Sequence, residues 1–257
     1  MTESYTIKEL KKRLMEIEST DDPWIETVRL DSRKGAQLAL KQWDKIQEKK
    51  VQLLKQKETL LIEENKLIQA GYQLIAGVDE VGRGPLAGPV VAAAVLLPPD
   101  MEALPINDSK QLSASIREEL YEIIMERADV GIGLVEADEV DRINIYEATK
   151  VAMLKAIDAL PHRPDALLID AMKLSIPIHQ VSLIKGDARS YSIAAASIVA
   201  KVFRDRLMAD YAKEYPYYGF ERNAGYGTKT HLVGLEEHGI TPIHRKTFEP
   251  IKSILKK

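Results

Sequence analysis

Residues 73–89 read QLIAGVDEVGRGPLAGP. The apolar residues Leu74, Ile75, Ala76 and Val78 run into two adjacent carboxylates, Asp79 and Glu80, and then into Gly82, Arg83 and Gly84. An apolar run of this length is consistent with a buried strand, whose end delivers side chains to a rigid, half-open edge. Two carboxylates side by side repel each other unless a cation lies between them. Hard oxygen ligands of this kind suit Mg²⁺ or Mn²⁺. Glycines beside them let backbone N–H groups approach a ligand closely. A bare Asp-Glu pair would read as a solvated acidic turn; the Gly-Arg-Gly-Pro tail shifts the reading to a metal site beside a phosphate- or ribose-reading loop.

Other residues could join that chemistry. Asp170 follows the apolar run Ala166–Ile169 and is a second strand-terminal acid. Asp187 comes 17 residues later, near a helix start, where Asp also serves as an N-cap. Tyr226 lies between Gly225 and Gly227; an aromatic ring on such a loop can stack on a sugar or base, or simply anchor the loop. Lys110, Lys201 and Arg204 are candidate phosphate contacts, and the last two share a helix face, as a solvated basic surface also would. The five histidines have no metalloprotease-type spacing, and neither a dinucleotide fingerprint nor a Walker motif occurs. The absence of cysteine excludes disulfides and thiolate metal sites.

These side chains need a scaffold. A chain of 257 residues with 45% hydrophobic content can build one large domain plus an appendage. Residues 6–19 carry Ile7, Leu10, Leu14 and Ile17 at helical spacing, with a capping box from Thr6 and Glu9. Asp22-Pro23 suits the start of a second helix. A charged segment over about 32–69 has scattered apolar positions, and Gly71 is placed to end it. Residues 1–56 are read as a small helical appendage whose charge mixture argues against a core of its own. From Tyr72, apolar runs at 73–78, 89–97, 130–135, 166–170 and 181–184 predict five strands. Helical patterns cover 114–127, 138–160 and 190–214. Three early strands joined without long helices, then alternating helices and strands, predict a mixed α/β sheet.

Charge is unevenly spread. Residues 1–70 carry 14 Lys/Arg against 13 Asp/Glu, residues 71–184 carry 9 against 18, and residues 185–257 carry 13 against 8. An acidic middle and a basic end suit a protein that holds metal centrally and polyanion nearby. The N-terminus lacks an apolar signal core, and no stretch approaches the roughly 18 apolar residues of a membrane span. A cytoplasmic, soluble protein, monomeric and without membrane contact, is expected.

The motif DEVGRGPLAGPV closely resembles the signature of type 2 ribonucleases H, bacterial ribonuclease HII in particular. The resemblance continues through NDSKQLS (107–113), LLIDA (167–171), KGD (185–187), SIAAASIVAKVFRDR (192–206), GYGT (225–228) and HRKTF (244–248). It covers about Ile62 to Pro250 and departs from the family pattern at Gln111, where many relatives carry a second lysine, and at Phe203, where many carry threonine. It implies a ribonuclease H-like catalytic domain over 57–257, with a five-stranded mixed sheet flanked by helices. It matches Asp79, Glu80, Asp170 and Asp187 to the family's four catalytic acids. Four converging carboxylates need compensating cations, so two divalent ions, Mg²⁺ or Mn²⁺, are expected. By the same resemblance Gly82, Arg83 and Gly84 read a ribose 2′-hydroxyl, and Tyr226 packs at the junction between the ribonucleotide and the next deoxynucleotide. His244, Arg245 and Lys246 match a family motif whose role the sequence leaves open. The expected activity is hydrolysis of the RNA strand of RNA/DNA hybrids and incision of duplex DNA 5′ of an embedded ribonucleotide. Two alternatives share these motifs. A ribonuclease HIII is opposed by Arg83 where it has lysine and by a helical rather than strand-rich N-terminal region. A non-catalytic nucleic-acid-binding protein is opposed by the presence of all four acids.

Overall fold

The computed structural model describes residues 5–106 and 112–256. The chain divides between Glu58 and Thr59 into two compact units. The first contains α1 (Ile7–Glu16), α2 (Pro23–Arg29) and most of α3 (Lys34–Leu60). The capping box on α1 is present: Thr6 Oγ1 accepts the Glu9 N–H at 3.3 Å, and Glu9 Oε2 accepts the Thr6 N–H at 2.8 Å. Asp22 caps α2 by accepting the Trp24 N–H at 2.8 Å, with Pro23 in the first turn.

The expectation that this segment lacks its own core is corrected. Leu10, Leu14, Ile25, Val28, Ala36, Ala39, Leu40 and Trp43 form a buried cluster within the unit. Apolar residues are sparse in the sequence, but three helices turn them toward one another. Trp43 fills much of the space, and its indole N–H donates to the Ile17 carbonyl at 3.2 Å, so the large ring is buried without an orphaned polar atom.

The second unit holds α4 (Ile62–Gln69), separated from α3 by a break at Leu61, so the charged stretch before Gly71 is two helices rather than one. Gly71 ends it with a φ of 100°, a conformation glycine adopts at low cost. Five strands follow: β1 (Ile75–Val81), β2 (Val90–Leu96), β3 (Asp129–Val135), β4 (Ala166–Asp170) and β5 (His179–Leu183). Their order in the sheet is β3-β2-β1-β4-β5. The β1–β2 and β2–β3 pairs are antiparallel; the β1–β4 and β4–β5 pairs are parallel.

The remaining helices are α5 (Ala114–Arg127), α6 (Ala137–Ile143), α7 (Ile145–Asp158), α8 (Tyr191–Glu214), α9 (Phe220–Asn223), α10 (Lys229–His238) and α11 (Ile251–Ile254). Two expectations change here. The first three strands are not joined without long helices, because α5 lies between β2 and β3. The helical pattern over 138–160 is two helices, broken at Asn144, whose φ is 68° and whose side chain accepts the N–H groups of Tyr146 and Glu147.

The sheet is sandwiched. On one face Val91, Ala93 and Val95 of β2 pack with α5 and α8; on the other, Ala76, Val78, Ala92 and Ala94 pack with α7. The small residues matter: a Cβ at Gly77 would stand 2.1 Å from the carbonyl carbon of Ser192 and 2.3 Å from the Ile193 nitrogen. Only glycine lets the start of α8 press on the central strand. No helix among the described residues is long and apolar enough to cross a membrane.

Candidate active site

The register of the sheet brings the first acids together. Val78 of β1 pairs with Ile169 of parallel β4, so Asp79 and Asp170 follow one another out of the C-terminal ends of adjacent strands. Asp79 is buried, lies on the α8 side of β1 and accepts a hydrogen bond from Ser197 of α8. Burial pushes its carboxyl well above the usual range; the neighbouring Glu80 and Asp170 push further, against the opposing effect of Ser197. Glu80 is raised by burial, with Arg83 pulling it down and Asp170 pushing it up. Among the described residues its Oε2 is buried without a hydrogen-bond partner.

Asp170 Oδ1 accepts the Gly186 N–H at 2.6 Å. That bond fastens the short 3₁₀ turn Gly186–Ala188, which carries Asp187, beside the end of β4. Asp79, Glu80 and Asp170 therefore form one electrostatic cluster, and Asp187 sits on the turn tied to it.

The chemistry of this cluster fits a divalent cation. It offers only oxygen donors, the carboxylates raise one another's pKa, and one buried oxygen of Glu80 has no partner among the described residues. Among the described residues no group of three or more His, Asp or Glu side chains already stands in a ready-made ligating arrangement.

The glycine loop begins one residue beyond β1. Gly82 has a φ of 90°, and a Cβ there would stand 2.3 Å from Arg204 Nε, so glycine is required on both counts. Arg83 is partly exposed, and its Nη1 lies 3.4 Å from Glu80 Oε1. Tyr226 is 49% exposed and faces the loop: a Cβ on Gly84 would be 3.4 Å from its Cε1. The structure thus brings Glu80, Arg83, Gly84 and Tyr226 into one neighbourhood.

The basic candidates fare differently. Arg204 is corrected: it is no phosphate contact. It is 1% exposed, and its guanidinium donates to the carbonyls of Pro89, Ala224 and Ala87 at 2.9, 2.8 and 3.0 Å. Desolvation lowers its pKa to about 10, which still leaves it charged. Three of its donors are turned inward to hold the loop ends, and the side chain is buried away from the surface a substrate would meet. Lys201, on the same helix, is partly exposed and pairs with Asp205 at 2.6 Å. Lys110 lies outside the described residues.

Three supports were not legible beforehand. Ser197 sits in an Ala-rich stretch that reads simply as buried helix. Glu64 of α4 is buried, and its Oε1 accepts from Ser190 Oγ, Ser192 N and Ser192 Oγ at 2.6, 3.0 and 2.8 Å, pinning the start of α8. Beneath Tyr226 lies a buried histidine pair. The Thr241 N–H donates to His244 Nδ1 at 2.8 Å, so His244 carries its proton on Nε2. That proton is donated to His231 Nε2 at 2.9 Å, which leaves His231 Nδ1–H to donate to the Tyr226 carbonyl at 3.0 Å. Both imidazoles have lowered pKa values, through burial first; for His244 the value falls to about 4.

Comparison with known proteins identifies the family. The family model described as Ribonuclease HII matches residues 76–251, and one described as Ribonuclease HII N-terminal domain matches residues 6–68. A ribonuclease HII of Enterococcus faecalis is 55% identical over 254 residues, covering 97% of this chain and 98% of its own. A ribonuclease HII of Bacillus subtilis is 54% identical over 249 residues, covering 96% and 98%. The crystal structure of ribonuclease H2 from Pyrococcus horikoshii superimposes with a TM-score of 0.63 at 27% identity, covering 72% of this chain and 98% of that one. The chain therefore belongs to the ribonuclease HII family and is an endoribonuclease of the ribonuclease H type.

Proposed function

We propose that the protein hydrolyses the RNA strand of RNA/DNA hybrids and also incises duplex DNA on the 5′ side of an embedded ribonucleotide. The products would carry 3′-OH and 5′-phosphate ends, and the reaction would begin removal of ribonucleotides from DNA. One observation carries this reading: the carboxylate cluster and the glycine loop are contiguous, with Arg83 3.4 Å from Glu80 and Tyr226 against Gly84. A site for breaking a phosphodiester thus adjoins a surface suited to a ribose.

Asp79, Glu80, Asp170 and Asp187 would hold the divalent ions, two Mg²⁺ or Mn²⁺. Bound there, such ions stabilise charge on the phosphate and lower the pKa of an attacking water. The chain's own residues do the rest. Ser197 fixes Asp79, and Gly186 fixes Asp170, so the acids are held before substrate arrives. Arg83 offers a cation to a phosphate at the mouth of the site. The backbone of Gly82–Gly84 meets the 2′-hydroxyl, the group that separates RNA from DNA. The Tyr226 ring stacks at the sugar junction that follows. Lys201 and Lys110 are candidates for phosphates further along the duplex.

The test is a comparison of two substrates, a duplex with one ribonucleotide and a long RNA/DNA hybrid. Tyr226→Ala is expected to reduce incision of the first more than the second, because a lone site depends on junction geometry while a hybrid offers many registers. Equal losses on both would contradict the assignment of Tyr226 to the junction.

A further inference from the structure

The HRKTF segment left open by the sequence places a single side chain under the whole glycine loop. Arg245 is fully buried. Its Nη2 donates to Gly82 O at 2.6 Å and Gly88 O at 2.8 Å, its Nη1 to Arg83 O at 3.1 Å and Pro85 O at 3.0 Å, and its Nε to Gly88 O at 3.0 Å. A guanidinium has five N–H donors in a fixed fork, and all five are used on loop carbonyls. The backbone N–H of Arg245 also donates to Leu86 O at 2.9 Å. Among the described residues no carboxylate hydrogen-bonds the guanidinium, which also lies 5.0 Å from the centroid of the Phe248 ring, so the hydrogen bonds of this buried cation go to peptide carbonyls.

That choice of partners has a geometric consequence. Among the described residues the only cis peptide is Glu249–Pro250, so the loop peptides at Gly82-Arg83 and Arg83-Gly84 are trans. In a trans peptide the carbonyl and the following N–H point in opposite directions. Turning the carbonyls of Gly82 and Arg83 inward to Arg245 therefore turns the N–H groups of Arg83 and Gly84 outward. Among the described residues neither N–H has a hydrogen-bond partner. A carbonyl that accepts from a cation also polarises its peptide, making the opposite N–H a stronger donor.

We infer that Arg245 is the positioning residue of the ribonucleotide-reading loop, aiming the Arg83 and Gly84 N–H pair at the 2′-oxygen of the substrate. It acts from behind the loop and touches no substrate. The inference rests on the proposed reading of Gly82–Gly84 as the ribose-reading element, and it adds what sets that element's direction. Lysine would keep the charge but has three donors on one atom and cannot span four carbonyls. Arg204 plays a different part, holding the far end of the loop at Ala87 and Pro89.

The test measures affinity without divalent ions for two duplexes of one sequence, all-DNA or carrying a single ribonucleotide. Wild type is expected to prefer the ribonucleotide. Arg245→Lys should lose at least tenfold of that preference while its affinity for the all-DNA duplex falls no more than threefold, since of the proposed phosphate contacts only Arg83 lies on the loop; a merely structural defect would weaken both duplexes alike. An Arg245→Lys protein with undiminished preference overturns the inference alone. Absence of preference in wild type, together with no effect of Tyr226→Ala, overturns the parent reading instead. A second measurement needs no variant. In the free wild-type protein, amide exchange at Arg83 and Gly84 should be fast beside protected β1, and should slow with the ribonucleotide duplex but not with all-DNA. Slow exchange in the free protein would mean that the pair points inward, which overturns the inference whatever the variant does.

Discussion

Gly77 and Ser192 approach so closely that a Cβ at position 77 would stand 2.1 Å from the Ser192 carbonyl carbon. This contact sets how deeply α8 lies on β1, and with it the reach of Ser197 to Asp79 two residues along the same strand face. Gly77→Ala must push backbone away from backbone, with no flexible side chain to yield. Overpacking of this kind costs about 3 kcal/mol or more, which in a chain of this size lowers Tm by roughly 6–12 °C. A melting temperature unchanged by Gly77→Ala would mean that the helix can slide without cost.

The fates of Arg204 and Lys201 separate in a salt titration. Lys201→Ala is expected to flatten the salt dependence of duplex binding by about one unit of slope, as loss of one phosphate contact does. Arg204→Met should leave the slope unchanged and lower Tm instead, because it leaves three loop carbonyls unpaired in the interior. The reverse pattern would restore Arg204 as a substrate contact.

The histidine pair predicts a pH dependence with a definite sign. His244 has a folded pKa lowered to about 4, chiefly by burial and then by His231, against about 6.5 when unfolded. Between those values the unfolded chain binds a proton that the native state refuses, so stability falls as pH drops from about 6.5 to about 4. The stability of His244 as a neutral, hydrogen-bonded group is fully present above pH 6.5. The Tm difference between wild type and His244→Gln should thus be largest above pH 6.5 and narrow toward pH 4. Asp79 and Glu80, whose raised pKa values act in the opposite direction, are common to both proteins and drop out of that difference. A gap that widens on acidification would contradict the proton assignment.

Much of this was written in local sequence. The capping box at Thr6, the cap at Asp22 and the five strands are short-range signals that tertiary packing did not override. The Asp79-Glu80 pair was legible because an apolar run ending in acids has few bland explanations once Gly-Arg-Gly follows. Arg204 was misread because helical spacing shows which residues share a face but not whether the face is buried; only the approach of Pro89, Ala87 and Ala224 decides that. Arg245 was visible as part of a motif, yet its partners are carbonyls 157 to 163 positions away, and backbone acceptors have no residue signature. The core around Trp43 was missed because the count of apolar residues is low and their convergence depends on two interhelical turns.

The first unit is expected to add affinity rather than chemistry, since all four acids and the glycine loop belong to the second unit. A chain starting at Thr59 should stay folded, keep its maximal rate within a few-fold, and bind hybrid more weakly with a shallower salt slope, through loss of lysines such as Lys49, Lys50, Lys55 and Lys57. A truncated chain that is folded by circular dichroism but inactive would show that residues 1–58 help build the site.

The most direct measurement is a divalent-ion titration of wild type and Asp79→Asn on a duplex with a single ribonucleotide, following cleavage and binding together. Wild type should incise 5′ of the ribonucleotide only when Mg²⁺ or Mn²⁺ is added. Asp79→Asn should bind the duplex with an unchanged salt slope, melt a few degrees higher than wild type in metal-free buffer because one source of repulsion is gone, and give no detectable incision at any ion concentration. Near-normal turnover by Asp79→Asn at saturating Mg²⁺ and Mn²⁺ would contradict the account that this carboxylate cluster performs the chemistry.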